Sequence, residues 1–213
     1  MNSMSEAKRW FKDAKFGMMS HFGLYSVAGG EWKGQRMGNV IGEWLQSYFR
    51  IPNREYHELA KAFNPIYFNA DEWVKLAKNA GMKYFVITSK HHEGFALFHS
   101  KASKFNSVDA TPAHRDIIEE CANACAKYGI KFGLYYSQSV DWSHPDGAGY
   151  LAKEKNLGMM SWDNDWDFPD KSKKDYMRCY KNQAAGGRNT SKLRRFMPYL
   201  VRYSIRYTYG LRR

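Results

Sequence analysis

Tyr84-Phe85-Val86-Ile87-Thr88, running on through Ser89 into Lys90-His91-His92-Glu93-Gly94-Phe95, is the stretch whose reading decides the fold. Its first five residues are β-branched or aromatic, with no polar alternation. Such a run reads as a strand buried on both faces, as strands of a parallel sheet are. Four ionisable residues then follow in a row. Polar groups at the carboxyl end of a buried parallel strand sit where α/β folds place their chemistry. Adjacent histidines are costly there unless hydrogen-bonded, which makes His91 and His92 candidate binding residues.

Working outward, residues 15–20 read as a short apolar strand ending in His21-Phe22-Gly23. From Leu24 to about Asn53 no periodicity shows, and so long an irregular stretch, rich in Gly and Trp, reads as a functional loop. Residues 54–62 read as helix. Asn69 caps a helix over 70–80 with Trp73, Leu76, Ala77 and Ala80 on one face, and Gly81 ends it. Residues 82–89 form the central strand. Asp116 opens a second helix with Ile117, Cys121, Ala124, Cys125 and Tyr128 on its buried side, closed by Gly129. Residues 130–137 are the third strand.

Strands alternating with Gly-terminated helices make the βα repeat of a parallel sheet. Each strand ends in polar or aromatic groups: His21, then His91 and His92, then Tyr135-Tyr136-Ser137 with Asp141-Trp142 beyond. No glycine-rich phosphate loop follows the first strand, so a doubly wound sheet fits less well. The expected class is α/β, the N-terminal part of a (β/α)8 TIM barrel. It is expected to be incomplete, because such a barrel needs about 200–250 residues and only three strands are visible here. Open barrel edges predict homo-oligomers or aggregation.

The formal net charge of +12 suggests a nucleic-acid partner, but its distribution argues against one. Residues 184–213 carry eight Lys/Arg and no acid, leaving 25 basic against 21 acidic residues over the first 183. The division is therefore 1–183, a barrel portion, and 184–213, a basic tail. No run approaches eighteen apolar residues and residues 1–9 do not read as a signal peptide, so neither membrane nor nucleic-acid partners are expected and the location reads as cytoplasmic. Cys121, Cys125 and Cys179 have no zinc-like spacing and read as reduced thiols; no metal and no cofactor are expected.

Lys15-Phe16-Gly17 with His21-Phe22-Gly23-Leu24-Tyr25-Ser26-Val27, Gly42-Glu43-Trp44, Thr88-Ser89-Lys90-His91-His92-Glu93-Gly94-Phe95, and Phe132-Gly133-Leu134-Tyr135-Tyr136-Ser137 together resemble the α-L-fucosidase family of retaining glycoside hydrolases. The likeness runs from about Trp10 to about Gln183. It implies a fucosylated oligosaccharide or glycoconjugate as substrate. It also implies a fucose pocket of His21, Glu43, Trp44, His91, His92 and Tyr135. The chemistry agrees: neutral His offers one donor and one acceptor to sugar hydroxyls, and a carboxylate accepts from two. Trp44 and Tyr135 suit the C5 methyl and the ring face. Phe22 and Glu93 stand where the family usually has Trp and Asp. Glu31-Trp32 echoes Glu43-Trp44, but Arg50-Ile51 and Glu55-Tyr56 follow the latter at family-like spacing. Asp163, Asp165, Asp167 and Asp170 lack the Gly and closing Glu of a calcium loop and read as a solvated barrel loop.

A retaining glycosidase needs two carboxyl groups about 5–5.5 Å apart. The resemblance places the nucleophile in a Trp-Phe-Asp or Trp-Asn-Asp strand end, and this chain shows none, so no catalytic residue is assigned. The expected function is α-L-fucosidase, present as an N-terminal piece without its nucleophile; the alternative is a non-catalytic sugar-binding remnant. The tail explains the loss if it is out of frame. Tyr199-Leu200-Val201-Arg202-Tyr203-Ser204, written TAT TTG GTT CGA TAC TCC, reads one base on as Ile-Trp-Phe-Asp-Thr-Pro. The prediction is that the nucleotide sequence after Gln183 encodes Trp-Phe-Asp in a shifted frame. Sequencing that finds it in no frame refutes the idea.

Overall fold

The computed structural model describes residues 6–138, 140–147, 162–175, 177–179 and 181–182. In chain order these form α1 (Glu6–Ala14), β1 (Met18–Ser20), α2 (Tyr25–Ala28), β2 (Glu31–Trp32) and β3 (Gln35–Arg36). A 3-10 turn over Gly42–Trp44, α3 (Leu45–Tyr48), α4 (Asn53–Tyr56), a 3-10 segment over His57–Ala62 and α5 (Ala70–Asn79) follow. The described part is completed by β4 (Tyr84–Lys90), α6 (Ile117–Tyr128), β5 (Lys131–Tyr136) and a short 3-10 turn over Lys171–Lys173.

The architecture is α/β with a parallel sheet in the order β1-β4-β5. Met18 pairs with Phe85 and Ser20 with Ile87, while Tyr84 pairs with Lys131 and Thr88 with Tyr135. The helices start and stop where local chemistry requires. The Asn69 side chain accepts from the Glu72 amide at 3.2 Å and Asp116 from the Glu119 amide at 2.9 Å, each satisfying a donor that the first turn leaves open. Gly129 ends α6 with φ +67°, a left-handed conformation that costs glycine little.

Several expectations need correction. The segment between Leu24 and Asn53 is built, not irregular: it holds α2, the β2–β3 hairpin, a 3-10 turn and α3. Its pieces of two to four residues are too short for hydrophobic periodicity to show. Residues 54–62 divide into α4 and a 3-10 segment instead of one helix. On α5 the buried residues are Ala70, Val74 and Ala77, and Leu76 is 68% exposed. The buried stripe is thus rotated from the expected one, toward Ala70 and Val74 and away from Leu76, on a helix that packs against α6. Asp163 is buried, between Lys174 at 2.6 Å and Lys171 at 2.5 Å, so the acidic loop is not simply solvated. Asp165 pairs with Arg50 at 2.7 Å, and Asp167 accepts from the Asn53 amide at 2.8 Å. No described helix is long and apolar enough to cross a membrane. The expectations on residues 184–213 lie outside the described residues.

The core is continuous from Leu24, Tyr25 and Leu45 through Phe85 and Ile87 to Ile117, Ile118 and Cys121. Phe85 is fully buried at the middle of the sheet, with Trp73 and Phe132 rings within 6.4 Å. Phe85→Ala is expected to cost about 3–5 kcal/mol, by lost transfer energy and the cavity left behind. Urea titration checks this, and a loss below about 1 kcal/mol would deny β4 its central place.

Candidate active site

All three parallel strands release their chains at the same end of the sheet, which brings their terminal side chains together. The His21 ring lies 5.4 Å from the His91 ring and 5.6 Å from that of Tyr135. His91 and Tyr135 are nearly parallel at 5.5 Å, and His91 and His92 rings are 4.0 Å apart. Glu43 comes in from the loop after β1, with Oε1 3.7 Å from His21 Nε2. Trp44, its neighbour, packs edge-on against His92 at 5.4 Å, Trp142 at 5.5 Å and Trp162 at 4.6 Å. The six residues singled out in the sequence thus share one region. Trp44 is only 8% exposed, so it forms the wall of that region, while His21 and Glu43 are its more open members.

Thr88 fastens the first strand end to the second. Its hydroxyl accepts from the Phe22 amide and donates to the Phe22 carbonyl, both at 2.9 Å. Ser89 Oγ donates to the Tyr135 carbonyl at 2.9 Å and so ties the second end to the third. These threonine and serine contacts hold His21, His91 and Tyr135 at fixed spacing through the backbone, independently of any ligand.

The histidines are held neutral. Burial first, and then the electrostatic influence of Lys90 and His21, push His92 down to about 3. His91 is displaced strongly in the same direction by burial, His92, His21 and Lys90. The tautomer of His92 follows from its partner. The single Ser137 hydroxyl proton goes to the Val140 carbonyl at 2.7 Å, so at 2.6 Å Ser137 Oγ must accept from His92 Nδ1. That leaves His92 Nε2 as a lone-pair acceptor. His91 Nδ1 is buried with no hydrogen-bond partner among the described residues.

Behind the histidines sits Glu93. Its Oε1 accepts from the Leu24 amide at 3.2 Å, and its Oε2 accepts from the Tyr56 hydroxyl. A Cβ at Gly23 would lie 2.5 Å from that Oε1, so only glycine lets the loop approach the carboxyl group. Lys90 is buried too, its ammonium 3.0 Å from Asp141 Oδ2. Gly94, at φ +85°, passes so close to Asp141 that a Cβ would meet its Oδ1 at 2.6 Å. Ser137, Glu93, Trp142 and Trp162 are the contributors that sequence reasoning left without a role. Ser137 closes the Tyr-Tyr-Ser motif and Trp142 lies just beyond it, so position relative to the strand was the available signal.

His21, Glu43 and His91 offer ligand atoms within 4.8 Å of one another, a set compatible with a divalent cation. A tetrahedral ion with bonds of about 2.0–2.1 Å needs its ligands roughly 3.4 Å apart, and His21 Nε2 and Glu43 Oε1 lie 3.7 Å apart.

A family model for alpha-L-fucosidase matches residues 1–185. Rat tissue alpha-L-fucosidase is 39% identical over 156 residues, which cover 70% of this chain and 32% of that protein. Alpha-L-fucosidase AlfC from Lactobacillus casei, solved with its alpha-L-fucose product, superposes with a TM-score of 0.79 at 52% identity, covering 84% of this chain and 54% of that one. A further AlfC structure, holding Fuca(1,6)GlcNAc, matches with a TM-score of 0.80 at 51% identity, over 86% of this chain and 56% of its own. The chain spans about a third of the length of the curated relatives and just over half of the AlfC structures.

Burial raises the Glu93 carboxyl to about 7, against the lowering pull of the Tyr56, Leu24 and Tyr25 bonds and of Lys90. Because the folded value exceeds the unfolded one of about 4.5, the folded state binds more protons between the two, and stability falls as pH rises from about 4.5 through about 7. Glu93→Gln removes that dependence. Thermal melts at pH 5 and pH 8 should show a smaller difference for the variant; an unchanged difference would mean that Glu93 does not carry it.

Proposed function

The chain belongs to the alpha-L-fucosidase family, and on that premise we propose that it is the sugar-binding N-terminal portion of an α-L-fucosidase acting on fucosylated glycans by a retaining mechanism. Its parallel sheet would be the opening part of a (β/α)8 barrel. The observation that carries this reading is the convergence of His21, His91, His92, Tyr135 and Glu43 from three strand ends and one loop. Two neutral imidazoles, a carboxylate and a phenol supply directional donors and acceptors without concentrating positive charge, as a neutral polyol requires. The fucose and fucosyl-disaccharide complexes of AlfC support the same ligand class.

Within this pocket Glu43 accepts hydroxyl protons, His92 Nε2 accepts another, and Tyr135 faces the sugar ring beside His91. These side chains bind and orient; the reacting carboxyl pair belongs to the remainder of the enzyme, so the chain by itself is a binding unit. The family match runs to residue 185, close to the 183/184 boundary read from the charge distribution.

The test uses the 213-residue chain with methyl α-L-fucoside and 4-nitrophenyl α-L-fucoside. Saturable fucoside binding, weakened at least tenfold by His91→Ala, is expected, with no release of nitrophenol. Measurable turnover overturns the assignment of the chain as a binding unit. Absence of saturable binding overturns the pocket.

A further inference from the structure

His21, Glu43 and His91 come from a strand end, a loop and a second strand end, and one ligand atom of each lies within 4.8 Å of the other two. Among the described residues no other three His, Cys, Asp or Glu side chains gather in this way. The His21 and Glu43 side chains are 32% and 15% exposed, so they are the two members with room to turn toward an ion. His91 is 3% exposed, and its Nδ1 has no hydrogen-bond partner among the described residues. A buried polar atom left in that state is uncommon in a folded protein and points to a ligand beyond the chain itself.

The donor set selects the kind of ion. Two imidazoles and one carboxylate are the three protein ligands of a common type of zinc site, whose fourth position stays open to water. Calcium takes six to eight oxygen ligands and magnesium a near-ideal octahedron of them, whereas this set offers a single carboxylate. Imidazole suits zinc, copper and nickel. The competing soft donors are withdrawn, since Cys121, Cys125 and Cys179 are all buried. The backbone that carries the ligands is fixed: Thr88 grips both backbone groups of Phe22 beside His21, and Ser89 ties the strand end before His91 to Tyr135. The Lys90 ammonium, which would repel a cation, is turned to Asp141 Oδ2 at 3.0 Å.

We propose that His21, Glu43 and His91 form a binding site for a borderline divalent cation, zinc being the ion that the set suits best, and that the bound ion excludes the fucosyl group. The exclusion rests on the fucose reading of the same cluster; the metal site does not. A zinc ion drawing on the Glu43 oxygens and on one lone pair of each imidazole takes the acceptors that sugar hydroxyls need. The cation is thus an inhibitor of glycan binding and has no part in the reaction.

The experiment titrates ZnCl2 calorimetrically into the 213-residue chain, with and without saturating methyl α-L-fucoside. One zinc per chain is expected, with an apparent dissociation constant raised at least tenfold by the fucoside, and no heat from MgCl2 or CaCl2. His21→Ala and Glu43→Gln should each weaken zinc by about tenfold or more, since even residues that only support a metal ligand are worth about 10–100-fold. Melting curves without metal show that both variants are folded, and Glu43→Gln keeps the test open if His21→Ala is not. His99→Ala is the control, because His99 lies 3.6 Å from Asp109 and is the exposed histidine–carboxylate pair elsewhere; it should change nothing. Undiminished zinc binding in Glu43→Gln, or its loss in His99→Ala, overturns the site. Fucoside binding without zinc binding also overturns it and leaves the fucose reading standing. Zinc affinity indifferent to fucoside, or increased by it, overturns the exclusion. Zinc binding without fucoside binding removes the fucose reading, and the exclusion with it, and leaves the metal site in place.

Discussion

Parallel pairing on both sides of β4 is the constraint from which the site follows. In a parallel ladder all strands end on one side, so the residues after Ser20, Lys90 and Tyr136 emerge together. Rings of His21, His91 and Tyr135, far apart in the sequence, thereby come within 5.4 to 5.6 Å of one another. The register is held from within by hydroxyl groups: Thr88 takes both backbone groups of Phe22, and Ser89 takes the Tyr135 carbonyl. A slip of one residue would turn Phe85 and Ile87 out of the core and break these bonds together. The helices reinforce the same order. α5 and α6 pack on each other and α6 lies along β4 and β5, so the apolar faces close over one side of the sheet.

Glu93 shows what the geometry costs. A buried carboxyl group loses its hydration and is tolerated only with hydrogen-bond partners in place. Here the partners come from separate segments: the Leu24 amide after β1 and the Tyr56 hydroxyl at the end of α4. The group therefore joins the loop that carries Glu43 to the strand end that carries the histidines. A glycine at position 23 is the price of that approach, since any Cβ would collide with the carboxyl oxygen. The same economy recurs at Lys90 and Asp141, a buried ion pair under Gly94 that joins the second strand end to the loop after the third.

What was legible in the sequence follows from how each feature is encoded. β4 and β5 are apolar runs, and α5 and α6 carry capping side chains and glycine stops, so local chemistry alone announces them. The His21, His91 and Tyr135 positions were readable because strand ends are readable. The hairpin was not: two-residue strands carry no alternation, and Lys33-Gly34 lacks the asparagine or aspartate that usually marks such a turn. Nor was the tryptophan layer, because Trp44, Trp142 and Trp162 meet through tertiary packing that no spacing records. The acidic stretch misled for a related reason. Its composition suggests solvation, whereas Arg50, Lys171, Lys174 and the Asn53 amide neutralise it against the body of the protein.

The electrostatics of the pocket discriminate between ligand classes more sharply than the charge of the chain. A net charge of +12 favours anionic partners at long range, but attraction at a site is set by the groups that face it. Around His91 the imidazoles are stripped of charge by burial, by one another and by Lys90, and the Tyr135 phenol beside them keeps its proton through burial and the charge of Glu43. A phosphate or sulfate would meet the Glu43 carboxylate and two uncharged rings, while the neighbouring Lys90 ammonium is buried against Asp141. A neutral polyol meets lone pairs and N–H groups in alternation, each capable of a directional bond. Burial of the two histidines is the physical reason why the local field at this site differs from that of the whole chain.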